Sequence, residues 1–236
     1  MNTVKVCFSP KLLELDTLSN KIVVVVDILR ATTIITTMFK NGLQKLIPVK
    51  ELSEAKQLAA KGFIIAAERD GKKLDFADFD NSPYSFSAEK VSGKTLVYST
   101  TNGTNTIHLV KDSASEITIG SFLNLSSLAH YIVNQKKDVL ILCSGWQGDY
   151  CIEDALFAGA LSKILLSESY ISDCDSLKTS IALWQSAKDN LSAYIKNIYQ
   201  YKRLVNLGLK NIIDYCFQID TTQVIPVCID DCIVAK

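Results

Sequence analysis

Histidine and arginine are scarce in this sequence, and it has no long apolar run. Its only two histidines are His108 and His130, so chemistry that needs several imidazoles is excluded. No apolar stretch approaches the roughly 20 residues that span a bilayer. The first residues also lack the apolar core and small cleavage-site residues of a secretory signal. We therefore expect a cytoplasmic protein that does not act at a membrane.

The sequence also lacks a net charge, because 25 lysine and arginine residues balance 25 aspartate and glutamate residues. Such a chain has no overall field to attract nucleic acid. Its seven cysteines lack the paired spacing of a zinc site, so we expect reduced thiols. The length of 236 residues predicts a single domain over residues 1–236, with two lobes divided near residue 136 as the alternative.

Four familiar hydrolase and phosphate-binding signatures are missing as well. An aspartyl-phosphate hydrolase needs a second aspartate two residues after the first, but Leu29 follows Asp27 at that place. A cysteine phosphatase needs an arginine six residues after its nucleophile, and the residue at that distance from Cys143 is Asp149. Neither the GxxxxGK(S/T) phosphate loop nor the GxSxG nucleophile elbow occurs. These four enzyme classes are therefore excluded.

What the sequence does contain is an alternation of apolar runs and amphipathic segments. The runs are short and rich in β-branched residues, which is typical of strands buried on both faces. They cover 22–26, 63–67, 95–98, 117–119 and 139–142, and helices are predicted over 32–41, 52–61, 105–111, 125–135 and 153–166. This alternation predicts an α/β fold, layered α/β/α around a largely parallel sheet.

Two further features complete the prediction of the fold. The part of the chain after about Tyr170 is predicted to be mostly helical and to end in one more strand over 224–229. Gly42 and Gly62 stand where the C-terminal glycines of two helices belong.

Each of the five apolar runs is followed by residues able to bind an anion or a metal. In an open α/β sheet, ligands bind beyond the carboxyl ends of the strands. Two of the three arginines, Arg30 and Arg69, lie in these loops, and the planar arginine fork suits phosphate, sulfonate or carboxylate. A helix cap or a tight turn explains any single loop equally well. The recurrence at five strand ends nevertheless predicts one common ligand site.

Carboxylates accompany this predicted anion site. Asp27 and Glu68 follow the first two runs directly, and Glu153 and Asp154 come a few residues after the fifth. Two arginines bind a phosphate without help from acids, so the carboxylates indicate either a hard divalent cation such as Mg2+ or a general acid and base. For Glu153 and Asp154 the alternative is favourable charge in the first turn of a helix.

Taken together, these motifs resemble the 2-phosphosulfolactate phosphatase family, also called the ComB family. The resemblance runs from about Val23 to Pro226. Its stretches are VVVDILRATTII (24–35), AAERDGKKLDFADFDNSPYSFS (66–87), STTNGTNTI (99–107), GSFLN (120–124), CSGWQGDYCIEDALFAG (143–159) and SAYIKNIYQYKRLVNLGLKNIIDYC (192–216). One departure is Asp80, which replaces a glycine of the family pattern. Its charge would weaken binding of a dianionic substrate if it faced the site.

The resemblance implies a layered α/β fold and a Mg2+-dependent acid phosphatase of coenzyme M biosynthesis. Such an enzyme converts 2-phospho-3-sulfolactate to 3-sulfolactate and inorganic phosphate. The predicted catalytic residues are Asp27, Arg30, Glu68 and Asp154, and the predicted metal ligands are Asp27, Glu68, Glu153 and Asp154. The predicted substrate-binding residues are Arg69, Asn81, Ser82, Ser99, Thr100, Asn102, Gly103, Cys143 and Gly145. We expect Cys143 to shape its loop rather than to act as a nucleophile.

Other interpretations of the sequence stay open at this point. The substrate is a small anionic phosphoester, and it can be a different phosphorylated carboxylic acid. A non-catalytic module that binds a phosphorylated metabolite, and a lyase or isomerase, are the alternatives to a phosphatase. The carboxylates favour an enzyme, because an anion-binding module gains nothing from acids beside its ligand. It is equally open whether water attacks the phosphoryl group directly or a side chain is phosphorylated first. The formation of a homo-oligomer is open as well.

Overall fold

The structure is a computed structural model that describes residues 1–236. Its strands are Val4–Cys7 (β1), Lys21–Val26 (β2), Lys45–Pro48 (β3), Ile64–Arg69 (β4), Lys72–Lys73 (β5), Thr95–Ser99 (β6), Glu116–Gly120 (β7), Asp138–Cys143 (β8), Pro226–Ile229 (β9) and Cys232–Ala235 (β10). Its α-helices are Ala31–Lys40 (α1), Leu52–Ala60 (α2), Ala88–Val91 (α3), Gly103–Val110 (α4), Leu125–Gln135 (α5), Ile152–Ser167 (α6), Asp175–Ala187 (α7), Leu191–Ile195 (α8), Tyr199–Asn206 (α9) and Lys210–Cys216 (α10). None of the helices combines the length and the hydropathy that crossing a bilayer requires.

All ten strands form one sheet in the order β1-β8-β2-β7-β9-β10-β3-β6-β4-β5. Strands β1, β8, β2 and β7 are parallel and form what we call the first section. Strands β3, β6 and β4 are also parallel and form the second section. The antiparallel hairpin of β9 and β10 connects β7 to β3. The pairings β7–β9, β9–β10 and β10–β3 are all antiparallel, so the strands of the first section run in the opposite direction to those of the second. The sheet must therefore twist and bend for the carboxyl ends of the two sections to meet.

Strand β2 shows why the sequence reads as a continuous apolar run. Successive side chains of a strand point to opposite faces of the sheet. Val24 belongs to the buried cluster on one face, together with Leu128 of α5 and Leu161 of α6, while Val25 belongs to the cluster on the other face with Ile35 of α1. Both faces are covered, so every position of β2 from 22 to 26 is buried and apolar. At about 25 cal/mol per Å2 of buried apolar surface, this burial is the main force that holds the section together.

Helices α1 and α4 lie between the two sections. Ile107 of α4 belongs to the same buried cluster as Val25 of the first section and Leu96 of the second. The outer face of the second section is covered by α2, whose Ala55 packs with Ile65. Each section therefore has helices on both faces, as the predicted α/β/α layering requires. The α/β class and the largely parallel sheet are confirmed.

The predicted elements agree with the structure to within about two residues at most ends. All five predicted strands are present, as are the last strand (β9) and the helical part of the chain after Tyr170 (α7 to α10). Gly42 and Gly62 follow α1 and α2 with φ values of +89° and +86°, which confirms them as C-terminal glycines. Strands β1, β3, β5 and β10 were not predicted. Strand β7 precedes residue 136 in the chain and strand β8 follows it, and both pair with β2 in the same sheet. The division of the chain into domains stays a prediction.

Candidate active site

Loops at the carboxyl ends of both sections meet at a narrow cavity, which we call the inner cavity. Its volume of about 20 Å3 has room for about one water molecule. The residues that line it are Asp27, Leu29, Arg30, Ala31, Glu68, Gly71, Asn81, Thr100, Asn102, Trp146 and Arg203. The structure thus brings together six of the predicted site residues, from loops that are far apart in the sequence.

Asp27 follows β2 and lies at the N-termini of two helices. Its Oδ1 atom accepts a hydrogen bond of 3.2 Å from the Ala31 N–H at the start of α1, and the Gly103 N–H at the start of α4 also donates to this carboxylate. A Cβ atom at position 103 would lie 2.5 Å from the Cβ of Ala31, so this approach requires glycine. Burial raises the pKa of Asp27 to about 6 against the effect of these donors, and the nearby Glu68 charge adds to the increase.

Glu68 joins the loop after β4 to the loop after β6. Its Oε2 atom accepts a 2.7 Å hydrogen bond from the Gly71 N–H. Its Oε1 atom accepts from the N–H and the hydroxyl of Thr101, at 2.9 and 3.1 Å. Gly71 has a φ of +85°, which is the left-handed conformation that glycine adopts without strain. Glu68 therefore orders two loops while its carboxylate still faces the inner cavity.

Arg30 and Arg203 bring two positive charges to the same cavity. An added Cβ atom at Gly71 would lie 3.6 Å from Nη2 of Arg30 and 3.5 Å from Nη2 of Arg203, so both guanidinium groups approach one point. Arg30 is only 6% exposed. Every ion pair within 4.0 Å in this protein involves a lysine, so neither arginine is paired with a carboxylate. Unpaired guanidinium groups in a cavity are well suited to bind an anion.

Polar side chains complete the walls of the inner cavity. The Oδ1 atom of the buried Asn81 accepts a hydrogen bond of 2.5 Å from the Tyr98 hydroxyl, which leaves the amide NH2 group as a donor. The Oδ1 atom of Asn102 accepts from the Gln147 N–H at 3.2 Å. Thr100 is held by a hydrogen bond from the Thr104 N–H to its hydroxyl, at 3.2 Å. These side chains are therefore fixed in position before any ligand binds.

Three of the predicted substrate-binding residues, Arg69, Ser82 and Ser99, form hydrogen bonds outside the inner cavity. Arg69 donates from Nη2 to the hydroxyl of Ser99 at 3.0 Å and from Nη1 to the carbonyl of Glu68 at 2.6 Å. Ser82 precedes the 3-10 helix Pro83–Ser85, and its N–H donates to Oδ1 of Asp80 at 3.1 Å. The Asp80 carboxylate is therefore directed at its own loop and not at the cavity. The roles of Arg69, Ser82 and Ser99 in binding stay predictions.

Glu153 and Asp154 lie in the first turn of α6, are buried and do not line the inner cavity. The Oδ1 atom of Asp154 accepts from the Ile28 N–H at 2.9 Å, and its Oδ2 atom accepts from the Gly145 N–H at 3.0 Å. This carboxylate joins the loops after β2 and β8. The Glu153 carboxylate accepts hydrogen bonds from its own backbone N–H and from the Cys151 thiol. Burial is the largest cause that raises the pKa of Glu153 to about 7 and the pKa of Asp154 well above its usual value.

Cys143 ends β8 and is completely buried. Burial, with the nearby Asp154 charge second, raises the pKa of its thiol well above the ordinary value. A protonated thiol is a poor nucleophile. These surroundings support the interpretation that Cys143 shapes its loop, which stays a prediction.

The carboxylates of the inner cavity fit a magnesium ion that shares its coordination with a substrate. No three side chains of Asp, Glu, His or Cys lie close enough together to hold a metal by themselves. Mg2+ usually binds to one or two carboxylates, with substrate phosphate and water as the other ligands. Asp27 and Glu68 both line the cavity, and their mutual repulsion is the kind that a cation relieves. The assignment of Glu153 and Asp154 as further ligands stays a prediction.

The structure also adds residues that the sequence did not indicate. Arg203 of α9 and Trp146 of the loop after β8 line the inner cavity, and Tyr98 orients Asn81. A signal for Arg203 was present, because it is the third of only three arginines. It lies about 130 residues from Glu68 in the sequence, and no periodicity connects residues over such a distance.

Comparison with known proteins identifies the family of this chain. The family model described as 2-phosphosulpholactate phosphatase matches residues 7–231. A probable 2-phosphosulfolactate phosphatase of Caldanaerobacter subterraneus subsp. tengcongensis is 38% identical over 213 residues, covering 89% of this chain and 88% of the relative. Proteins of the same name from Thermotoga maritima and Prochlorococcus marinus are 35% and 38% identical, over 90% and 86% of this chain and 91% and 87% of their own lengths. The chain therefore belongs to the 2-phosphosulfolactate phosphatase family.

Proposed function

We propose that this protein is a Mg2+-dependent phosphatase that hydrolyses 2-phospho-3-sulfolactate to 3-sulfolactate and inorganic phosphate. Membership of the family makes it a phosphoric monoester hydrolase. The substrate and the need for Mg2+ are the parts that we add, together with a place in coenzyme M biosynthesis and in the cytoplasm.

The observation that carries this proposal is the unpaired charge of the inner cavity. Two carboxylates and two guanidinium groups line one small cavity, and none of them forms an ion pair with another within 4.0 Å. Burying charges without partners is costly. The arrangement is best explained if an anion and a cation that bind together complete it, as a phosphoester and Mg2+ do.

Different residues of the inner cavity would bind the phosphoryl group and the metal ion. Arg30 lies at the N-terminus of α1 and would bind the phosphoryl oxygens, whose negative charge it stabilises in the transition state. The NH2 group of Asn81 and the hydroxyl of Thr100 are additional donors in the same cavity. Asp27 and Glu68 would hold Mg2+, which when bound polarises the phosphoryl group and lowers the pKa of a bound water.

Release of inorganic phosphate tests this function directly. The purified protein would be incubated with phosphosulfolactate, phospholactate and phosphoglycerates in Mg2+ buffer, and phosphate would be measured over time. We expect release from phosphosulfolactate to be the fastest, to stop when the metal is chelated and to return when Mg2+ is added. The Asp27→Asn variant is the matched control for contaminating phosphatase.

Three results would contradict parts of the proposal separately. Full activity in excess chelator would remove Mg2+ but keep the phosphatase. Consumption of the substrate without phosphate release would indicate a lyase or an isomerase. Tight binding of phosphosulfolactate without any turnover would indicate a binding module.

A further inference from the structure

Arg203 and Trp146 lie between the inner cavity and a second, wider cavity. Both residues line the inner cavity, and both also line a wide outer cavity of about 630 Å3 beside α9. The inner cavity itself has room for about one water molecule. A phosphoester is much larger, so the walls of the inner cavity must rearrange before a substrate can bind there, and Arg203 and Trp146 form the wall towards the outer cavity.

Little holds the Arg203 side chain in its place. Its guanidinium carbon lies 3.9 Å from the centroid of the Trp146 ring, which is a cation–π contact and is weaker than an ion pair with a buried carboxylate. Its Nη1 atom donates to Oε1 of Gln200 over a long 3.4 Å. The Nε2 atom of Gln200 is buried and has no hydrogen-bond partner. A carboxylate that would anchor Arg203 is missing within 4.0 Å.

The chemistry of the substrate explains a second guanidinium. A phosphosulfolactate carries a phosphoryl group, a carboxylate and a sulfonate on three adjacent carbons. The carboxylate is attached to the carbon that bears the phosphoryl oxygen, so both groups lie close to Arg30 when the phosphoryl group is bound. The sulfonate is one carbon further away, which lets it reach the side of the inner cavity that adjoins the outer cavity, where Arg203 lies.

We propose that Arg203 is a specificity-determining residue of this site, which leaves the face of Trp146 and binds the sulfonate of the substrate. The assignment rests on the proposed function. It gives the two cavity arginines different tasks: Arg30 binds the group that reacts, and Arg203 recognises the group that distinguishes this substrate from other phosphorylated hydroxy acids.

Two substrates that differ only in the sulfonate test the assignment. 2-Phospholactate has a methyl group where phosphosulfolactate has a sulfonated methylene. In Arg203→Met, kcat/KM for phosphosulfolactate should fall by about 30- to 100-fold, because a charge-assisted hydrogen-bonding partner is lost. For phospholactate it should change by less than about threefold. Arg203→Lys keeps the charge but loses the fork, so its effect should be intermediate.

Lys202→Met is the matched control on the same helix. It removes the same charge one residue away and does not line the inner cavity, so any decrease should be small and equal for both substrates. Equal losses for both substrates in Arg203→Met would overturn the assignment, and so would wild-type kinetics with phosphosulfolactate. If the wild-type protein released no phosphate from either substrate, the proposed function would fall and the assignment with it.

Fluorescence gives a readout that does not depend on turnover. Only Trp146 and Trp184 are present, so Trp184→Phe leaves Trp146 as the single reporter. Binding of 3-sulfolactate should change the Trp146 emission as Arg203 leaves the ring, and lactate should not. An unchanged emission with bound 3-sulfolactate would contradict the movement of Arg203.

Discussion

The two parallel sections of the sheet organise their carboxyl ends in the same way but with different consequences. In the first section, Asp154 accepts backbone N–H groups of Ile28 and Gly145 and joins the loops after β2 and β8. In the second section, Glu68 accepts N–H groups of Gly71 and Thr101 and joins the loops after β4 and β6. Each section therefore uses one buried carboxylate to order two loops.

The difference lies in what else each carboxylate faces. Glu68 lines the inner cavity beside Asp27, whereas Asp154 is 2% exposed and does not line it. Two acids at strand ends thus look equivalent in the sequence but have different surroundings in the fold. We infer that Asp154 contributes mainly to stability and that Glu68 contributes to stability and to function. Asp27, which lies between the two sections, contributes mainly to function.

The largest effect is expected from Asp27→Asn, which removes one of the two cavity carboxylates while keeping the size of the side chain. Turnover should fall by about a hundredfold or more, which corresponds to about 2.7 kcal/mol of transition-state stabilisation. The Tm should change little, because removal of a buried charge offsets the hydrogen bond that one of the backbone N–H groups of Ala31 and Gly103 loses. Steady-state phosphate release and a thermal unfolding curve measure both. Wild-type turnover in a folded variant would place Asp27 outside the chemistry.

The matched pair Glu68→Gln and Asp154→Asn tests the comparison most directly. Each change replaces one acceptor oxygen with an NH2 group, so one backbone N–H loses its partner at a cost of about 1–3 kcal/mol of unfolding free energy. Both variants should be less stable in denaturant. Only Glu68→Gln should also lower turnover, by about tenfold or more. A stable Asp154→Asn variant with turnover as low as that of Asp27→Asn would reverse our assignment.

Arg30→Lys should lower turnover by at least about tenfold, or ~1.4 kcal/mol, because lysine keeps the charge but loses the planar fork. Arg69→Lys is the comparison variant in the second section. Its guanidinium is bonded to Ser99 and to the Glu68 carbonyl, so we expect a smaller loss of activity. Equal effects of the two changes on kcat/KM would indicate that Arg69 also contacts the substrate.

The stability of the metal-free protein should decrease as the pH rises. The pKa values of Asp27 and Glu153 in the folded protein are raised to about 6 and about 7, above the value near 4 of an unfolded chain. The folded protein therefore binds more protons between about pH 4 and 7, and the unfolding free energy falls through this window by up to about 1.4 kcal/mol per pH unit for each proton.

Thermal unfolding in metal-free buffer from pH 5 to pH 8 measures this slope. Asp27→Asn should make it shallower, and added Mg2+ should stabilise the protein most at the higher pH. A metal-free protein whose Tm increases with pH over this range would contradict the raised pKa values of Asp27 and Glu153.

The smallest effect is expected at Cys143. Both Cys143→Ser and Cys143→Ala should keep phosphatase activity within about a factor of ten of the wild type, because the thiol is buried and its pKa is raised. The measurement is phosphate release by folded protein at equal concentration. Loss of activity to background in both variants would show that the thiol takes part in the reaction.

The sequence predicted those strands whose burial leaves a clear apolar pattern, and it did not predict the others. The run at 22–26 predicted a strand because both faces of β2 are covered. By contrast, Lys5 interrupts the apolar residues of β1, and the short β3 contains Pro48, a residue that argues against a strand inside a sheet. Tyr98 gave no functional signal, because an aromatic residue in a strand is typical of any core.

The local sequence was sufficient for the α/β class, for the helix ends at Gly42 and Gly62 and for the acids and arginines at the strand ends, because each depends on contacts between near neighbours. The tertiary structure was needed to decide which of these groups share a cavity. The β9–β10 hairpin joins two oppositely directed sections, and the assembled fold places Asp27, Glu68 and Arg203 of α9 at one cavity. Packing over the whole chain selects those distances, and no local pattern encodes them.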